Sequence, residues 1–255
     1  MVIIMLNEIK QIVRDAGEIM LKAEHIEDAV KSKEGNANFV TKYDVAVQNY
    51  LFEHLAAVFP KAVFIGEEDA KHENTNHESC FIIDPIDGTT NFIMNLKHSA
   101  ISVAYLEHGE VIMGVVYNPY LNELFTAERG MGAYLNDKRL RINDKSMKEG
   151  IVGIGTSPYY ADKTDESFAM ARNLFDQSLD IRRSGAATLD LCDVAANRYV
   201  LFYEALLSPW DYAAGSLIIE EAGGVVKTMD NQKLQFDNPC SVIAANPVAF
   251  KEFFR

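Results

Sequence analysis

The sequence predicts an α/β protein, α+β in its first part and α/β in its second. Three observations carry this reading. Apolar residues recur at helical spacing near the N-terminus. Residues 101–142 alternate without any helical period. After residue 142, short apolar runs alternate with helical stretches. The texture changes across "NDKSMKEG" (143–150), which separates an α+β unit, 1–145, from an α/β unit, 146–255. The chain has 255 residues, 48% hydrophobic and 24% charged, enough to bury a large core without disulfides.

Taken in order, Ile9, Ile12, Val13, Ala16, Ile19, Met20 and Ala23 predict an amphipathic helix over 4–30, broken by "EGNAN" (34–38). "FVTKYD" (39–44) leads into a second helix with Val47, Leu51, Leu55 and Val58 on one face. Thr41 is its N-cap and Pro60 ends it. "AVFIGEE" (62–68) and "CFIID" (80–84) are buried strands ending in acid. From Ile101 to Ile142 the breaks at "EHGE", "NPYLN" and "NDK" predict an antiparallel meander. "IVGIG" (151–155) is a strand. "DESFAMARNLFDQ" (165–177) is a helix resting on Phe168, Ala171, Leu174 and Phe175. "DIRR", "TLDLCDVAA", "YVLFYE", "DYAAGSLIIEEAGG", "VVKTM" and "SVIAANP" then alternate strand and helix.

Composition excludes several function classes. The three cysteines, Cys80, Cys192 and Cys240, are odd in number, widely spaced and free of CxxC. They read as reduced thiols, not as a disulfide frame or a zinc site. The apolar start "MVIIMLNEIK" lacks a basic flank and is too short for a signal sequence or a membrane span, so the expected location is the cytoplasm. A net charge of −13 argues against nucleic-acid polymers and anionic membranes as partners. A small anionic substrate stays compatible, because a bound divalent cation inverts the local field.

Most of the 37 acids read as solvated. A second set stands at the ends of apolar runs: Glu67 and Glu68 after "VFI", Asp84 after "FII", Asp87 three further on, and Asp211 after "LLSPW". Ligands collect outside the carboxyl ends of strands in α/β packing. If the strands before Glu67 and Asp84 are neighbours, the carboxylates converge. They then repel one another unless a cation is present. Oxygen donors without His or Cys suit Mg²⁺ or Mn²⁺.

The stretch "DPIDGTTNF" (84–92) adds to this. Gly88 admits a close backbone approach, and Thr89 or Thr90 can cap a helix starting near Asn91, whose N-terminus would hold phosphate. D-x-x-D-G alone is more often a turn. The conjunction with "GEE" and "PWDYAAG", from distant parts of the chain, shifts the balance toward metal-assisted phosphate chemistry. An EF-hand fails on spacing, since Ile86, Gly88 and Asn95 would fill positions 3, 5 and 12. A haloacid-dehalogenase-type site needs Asp-x-Asp, and the spacing here is one residue longer.

Together "GEE" (66–68), "DPIDGTTNF" (84–92) and "WDYAAG" (210–215) resemble the signatures of the inositol monophosphatase family. The likeness extends through "FVTKYD", "NPYLNELFTAERGMGAYLND" (118–137) and "SGAATLDLCDVA" (184–195). The resemblance implies a layered αβαβα sandwich and a homodimer. It also implies hydrolysis of a phosphate monoester by metal-activated water, with two or three Mg²⁺ (Mn²⁺ substituting), and lithium sensitivity. Carried over by position, Glu67, Asp84 and the Ile86 carbonyl hold one metal. Asp84, Asp87 and Asp211 hold a second. Thr89 orients the water, supported by Asp44. Gly88 and Thr89 bind phosphate, while Asp87, Gly185, Ala186, Ala187, Glu204 and Asp211 line the substrate pocket. Lys33 matches a family lysine near the metals, and Trp210 anchors Asp211. Without the resemblance, Asp44 reads equally as a helix-dipole acid and Glu204 as a strand-end acid.

One departure stands out. The family often reads A-x-G-x-x-D-x-Y-x-E before W-D, where this chain has "AANRYVLFYE" (195–204). Asn197 stands for the Gly and Val200 for the Asp, and both are expected on the pocket rim. The expected substrate is inositol 1-phosphate, with NADP, fructose 1,6-bisphosphate or 3′-phosphoadenosine 5′-phosphate as alternatives. An inactive metal- or phosphate-binding regulator is disfavoured, since no metal-ligand position is lost.

Overall fold

The computed structural model describes residues 2–33, 39–69 and 74–255. The predicted "EGNAN" break lies outside them. Two sheets dominate. Helices α1 (Val2–Leu21) and α2 (Lys42–Val58) cover the outer face of the first, pressing Ile9, Val13, Leu51 and Leu55 onto it. That sheet has seven strands in sequential order: β3 (Val63–Gly66), β4 (Cys80–Asp87), β5 (Ala100–Glu107), β6 (Glu110–Asn118), β7 (Glu123–Glu128), β8 (Gly132–Leu135) and β9 (Lys138–Arg139). A separate ribbon pairs β1 (Val30–Ser32) with β2 (Phe39–Thr41).

The second sheet runs β11-β10-β12-β14-β13, built from β10 (Ile151–Ile154), β11 (Asp180–Arg182), β12 (Leu201–Leu207), β13 (Val225–Lys227) and β14 (Cys240–Ala245). Helices α5 (Ala187–Ala195) and α6 (Pro209–Ala222) lie between the sheets, and α4 (Thr164–Gln177) and α7 (Pro247–Phe253) close the far side. The result is the layered αβαβα sandwich. Its central layer explains why α6 is buried almost all round. Tyr212, Ala213, Ala214, Leu217, Ile218 and Ile219 touch both sheets, so this helix has no polar face to show.

Several elements differ from expectation. The first helix stops at Leu21, not near residue 30. His25 turns left-handed at φ 52°, and a 3₁₀ turn over Ile26–Ala29 follows. Val58, Phe168 and Phe175 lie off the core. The two phenylalanines are 61% and 50% exposed, because α4 rests on Ser167, Ala171 and Leu174 instead. The stretch "ELFTAERGMGAYLND" is two strands. Gly130 and Gly132, at φ 79° and 93°, turn the chain between β7 and β8. Helix α7 was not anticipated, although Asn246 before Pro247 is a readable start signal. The Asn246 Oδ1 accepts from the N–H groups of Val248 and Ala249.

Strand β4 does not end at Asp84. It pairs Asp84 with Ser102 and Asp87 with Ala100, so two residues, Pro85 and Ile86, oppose one. This is a β-bulge, not the surface turn that Pro and two acids suggested. Proline is tolerated there because a bulge leaves its residue unpaired.

Candidate active site

Strands β3 and β4 are parallel neighbours, with Gly66 opposite Ile83. Their C-terminal ends therefore deliver Glu67 and Asp84 to the same place, and the Glu67 N–H continues the ladder to the Ile83 carbonyl at 3.1 Å. The bulge carries Asp87 round to face them. Asp211 arrives from the first turn of α6, in the layer behind. One oxygen from each of Asp84, Asp87 and Asp211 lies within 4.8 Å of the others. Asp84 is 1% exposed and Asp87 7%.

Each carboxylate is aimed by a backbone N–H. Ile86 donates to Asp84 Oδ1 at 3.0 Å, Thr188 to Asp87 Oδ2 at 2.8 Å, and Ser208 to Asp211 Oδ2 at 2.8 Å. Burial, then the neighbouring Glu67, Asp87 and Asp211 charges, raise the Asp84 carboxyl well above the ordinary carboxylate range. Asp211 is raised by burial, then Asp87 and Glu67. Burial pushes Asp87 up to about 6 against the Thr188 hydrogen bonds. Four acids crowded in this way store repulsion that a divalent cation would discharge. The all-oxygen donor set fits Mg²⁺ or Mn²⁺.

A lysine meets the cluster at Glu67. Lys33 Nζ lies 3.0 Å from Glu67 Oε1 and 2.6 Å from Glu68 Oε1. Burial lowers the Lys33 pKa, but the two glutamates outweigh it and hold it above its ordinary value. Lys33 thus sits where the sequence comparison placed it.

Thr89 opens α3 (Thr89–Ile93), with Gly88 as N-cap at φ 80°. Neither Thr89 nor Thr90 caps this helix. The Thr89 hydroxyl instead donates toward the Ile86 carbonyl at 3.2 Å and Asp44 Oδ1 at 3.4 Å. A Cβ at Gly88 would stand 3.2 Å from the carbonyl oxygens of Gly185 and His98, so this corner is closed to any larger residue. Asn91 ties it further, donating to the His98 and Ser184 carbonyls at 2.8 and 3.0 Å.

Asp44 is fully buried at the third position of α2. It completes a capping box in which the Thr41 N–H and hydroxyl both donate to Oδ2. Asp44 thus caps the helix with Oδ2 and turns Oδ1 toward the Thr89 hydroxyl. Burial raises its pKa to about 6 despite those hydrogen bonds.

A cavity of about 230 Å³ opens over the cluster, lined by Glu67, Asp84, Asp87, Gly88, Thr89, Glu204 and Asp211. A branch of about 70 Å³ shares several of these residues and reaches Gly185, Ala186, Ala187, Arg183 and Asp190. Every predicted site residue except Asp44 thus borders one cavity or the other, and Asp44 enters through Thr89. Glu204 Oε1 accepts from the Ser157 N–H at 2.7 Å, and burial raises its pKa to about 7. The Trp210 carbonyl accepts from Ser102 Oγ at 3.2 Å, which pins the turn before Asp211 to β5.

Sequence reasoning missed the wall formed by Ser157, Pro158, Tyr159 and Tyr160, together with Arg183 and Asp190. The first four follow "IVGIG" after one residue, Thr156, so the strand-end rule that found Glu67 and Asp84 points to them as well.

Asn197 and Val200 do not form the pocket rim. Asn197 is exposed at φ 61°, just past the end of α5, where a helix ends in glycine or asparagine. Val200 is 4% exposed and packs on Gly150 in the outer core. The Gly-to-Asn exchange therefore keeps the left-handed cap, and the Asp-to-Val exchange falls in packing away from the cavity.

The family model for the inositol monophosphatase family matches residues 5–254. The Nus factor SuhB of Escherichia coli (strain K12) is 38% identical over 249 residues, covering 97% of this chain and 93% of the relative. An inositol-1-monophosphatase of Rhizobium meliloti (strain 1021) is 39% identical over 216 residues, covering 84% and 79%. The crystal structure of the extragenic suppressor protein suhB from Bartonella henselae superposes with a TM-score of 0.89 at 33% identity, covering 96% and 95%.

Proposed function

The chain belongs to the inositol monophosphatase family, and on that premise we propose that it is a magnesium-dependent phosphate monoester hydrolase acting on inositol 1-phosphate. The convergence of Asp84 and Asp87, both buried, with the half-buried Asp211 beside Glu67, under a cavity that also holds Thr89, carries this reading. The name of the Rhizobium meliloti relative supports the choice of substrate.

Glu67, Asp84 and the Ile86 carbonyl would hold one ion, and Asp84, Asp87 and Asp211 another. Bound there, Mg²⁺ acidifies a water and offsets the charge of the departing alkoxide. The Thr89 hydroxyl fixes the attacking water. Asp44, with its pKa raised to about 6, receives the proton through Thr89 near neutral pH. Backbone N–H groups of Gly88 and Thr89 bind the phosphate. Glu204, with Gly185, Ala186 and Ala187, receives the alcohol. Burial raises the Glu67 and Glu68 carboxyls, and Lys33 offsets part of that rise.

Phosphate release with Mg²⁺ from inositol 1-phosphate, fructose 1,6-bisphosphate, 3′-phosphoadenosine 5′-phosphate and NADP tests this reading. Inositol 1-phosphate should give the highest kcat/KM. EDTA should abolish turnover and added Mg²⁺ restore it. Turnover that survives thorough chelation would refute the metal-dependent route.

A further inference from the structure

Asp190 closes the first turn of α5, 2% exposed, with its N–H bonded to the Ala186 carbonyl at 3.0 Å. The Ser184 hydroxyl steadies its carboxyl, yet Oδ1 has no hydrogen-bond partner. Such a buried, unpaired acceptor is costly and needs an explanation. Asp190 lines the 70 Å³ branch of the cavity, beside Glu204 and across from Asp87 and Gly88. In liquid, one water takes about 30 Å³, so the branch admits the edge of a small hydroxylated ring, not the whole of one.

We infer that Asp190 is a specificity-determining residue whose Oδ1 accepts a hydrogen bond from a hydroxyl of an uncharged polyol leaving group. This deepens the phosphatase reading above and rests on it. The chemistry of the branch selects the class. Asp190 and Glu204 are both buried acids, and Glu204 Oε1 is already committed to the Ser157 N–H. A hydroxyl donor satisfies the acceptor left over. Arg183 also lines the branch and acts on Glu204, so charge alone does not select the ligand; the unpaired acceptor does, because it calls for a donor. A site with an acceptor waiting for a donor rejects the analogue that lacks the donor, because the acceptor then stays unpaired. Nothing in "TLDLCD" marks Asp190, since its chain neighbours Leu189 and Leu191 are core residues.

The test compares kcat/KM for inositol 1-phosphate with that for cyclohexyl phosphate, the same ring without hydroxyls. Wild type should favour the polyol by about 100-fold. Asp190→Leu, close in volume and unable to accept, should cut that ratio by about tenfold or more. Asp190→Asn, which keeps the acceptor, should stay within about threefold of wild type. A Leu variant within threefold of wild type, or a wild type indifferent to the hydroxyls, overturns the assignment. Where the Leu variant does not fold, Asp190→Ala is read by the same ratio, because a wild-type preference alone could come from Glu204. A wild type that prefers fructose 1,6-bisphosphate also overturns it. Should wild type hydrolyse none of these esters, the phosphatase reading falls. Calorimetry of free inositol with Mg²⁺ then judges the subsite. Binding weakened about tenfold by Asp190→Leu supports it, and equal or undetectable binding overturns it.

Discussion

Asp84→Asn should make the metal-free protein more stable and the enzyme inactive. The substitution keeps the local fold, because an Asn Oδ1 still accepts the Ile86 N–H that Asp84 accepts at 3.0 Å. What it removes is charge. Carboxylate oxygens of Asp84, Asp87 and Asp211 lie within 4.8 Å of one another. At that separation, with an effective dielectric constant of about 20, two full charges repel by about 3.5 kcal/mol. Burial first and this repulsion second raise the pKa values, and protonation relieves both. For Asp87, a rise from 3.8 to about 6 corresponds to about 3 kcal/mol lost by pH 7.

The sign follows from proton counting. Each acid has a folded-state pKa above its unfolded value, so between about pH 4 and the raised pKa the folded chain binds more protons than the unfolded one. Stability is greatest at the low end of that window and falls as pH rises through it. Without metal, Asp84→Asn should gain about 2 kcal/mol at pH 7.5, or about 4–8 °C in Tm for a chain of this size, and almost nothing at pH 4.5. Thermal unfolding in EDTA at the two pH values measures this. With Mg²⁺, phosphate release should fall at least about 100-fold, as expected when a reacting group is displaced. A variant that melts at or below wild type at pH 7.5 in EDTA would refute the repulsive cluster. Wild-type turnover would refute the ligand role.

Thr89→Ala should lower kcat by about 10²–10⁴-fold with a small change in KM, since it cuts the path from water to Asp44; steady-state kinetics on inositol 1-phosphate will tell. Gly88→Ala should cost about 1–3 kcal/mol in chemical denaturation, because φ 80° is strained for alanine and its Cβ would press on two carbonyl oxygens. Asn197→Gly should lower Tm by about 2–4 °C, since it keeps the left-handed cap past α5 but loses the bonds from the Asn143 N–H and to the Arg141 carbonyl, and it should change kcat/KM very little. A large fall in kcat/KM there would return Asn197 to the pocket.

Much of this was legible because the signals are local. Thr41 and Asp44 stand three apart before an apolar helix, which is a capping box in sequence as well as in space. The meander was readable from period-two alternation, and Glu67 and Asp84 from acids ending apolar runs. The failures come from contacts that no local pattern encodes. Phe168 has the right spacing for a core face, but the second sheet meets α4 on the side of Ala171 and Leu174. Asn197 fills the glycine position of the family pattern that ends in Glu204, and the rim is expected there for that reason. The chain between them crosses from the end of α5 into β12, and that carries Asn197 to the surface.

The site residues are also fold residues, and this is what gives the cluster its geometry. Asp44 and Asp211 both occupy the third position of a helix and complete capping boxes with Thr41 and Ser208. Asp84 holds the bulge through the Ile86 N–H, and Asp87 holds the first turn of α5 through Thr188. Each acid spends one oxygen on backbone it would need for folding in any case. That bond fixes the carboxylate plane, so no conformational freedom is lost when a ligand arrives. The same economy explains how a chain of net charge −13 tolerates buried acids at one point. Local hydrogen bonds stabilise each carboxylate singly, and the remaining cost of burial and mutual repulsion is left for a cation to relieve. Replacing any of them by alanine would therefore damage a helix start or a bulge as well as the site. The amide variants, which keep the acceptor oxygen, separate the two roles.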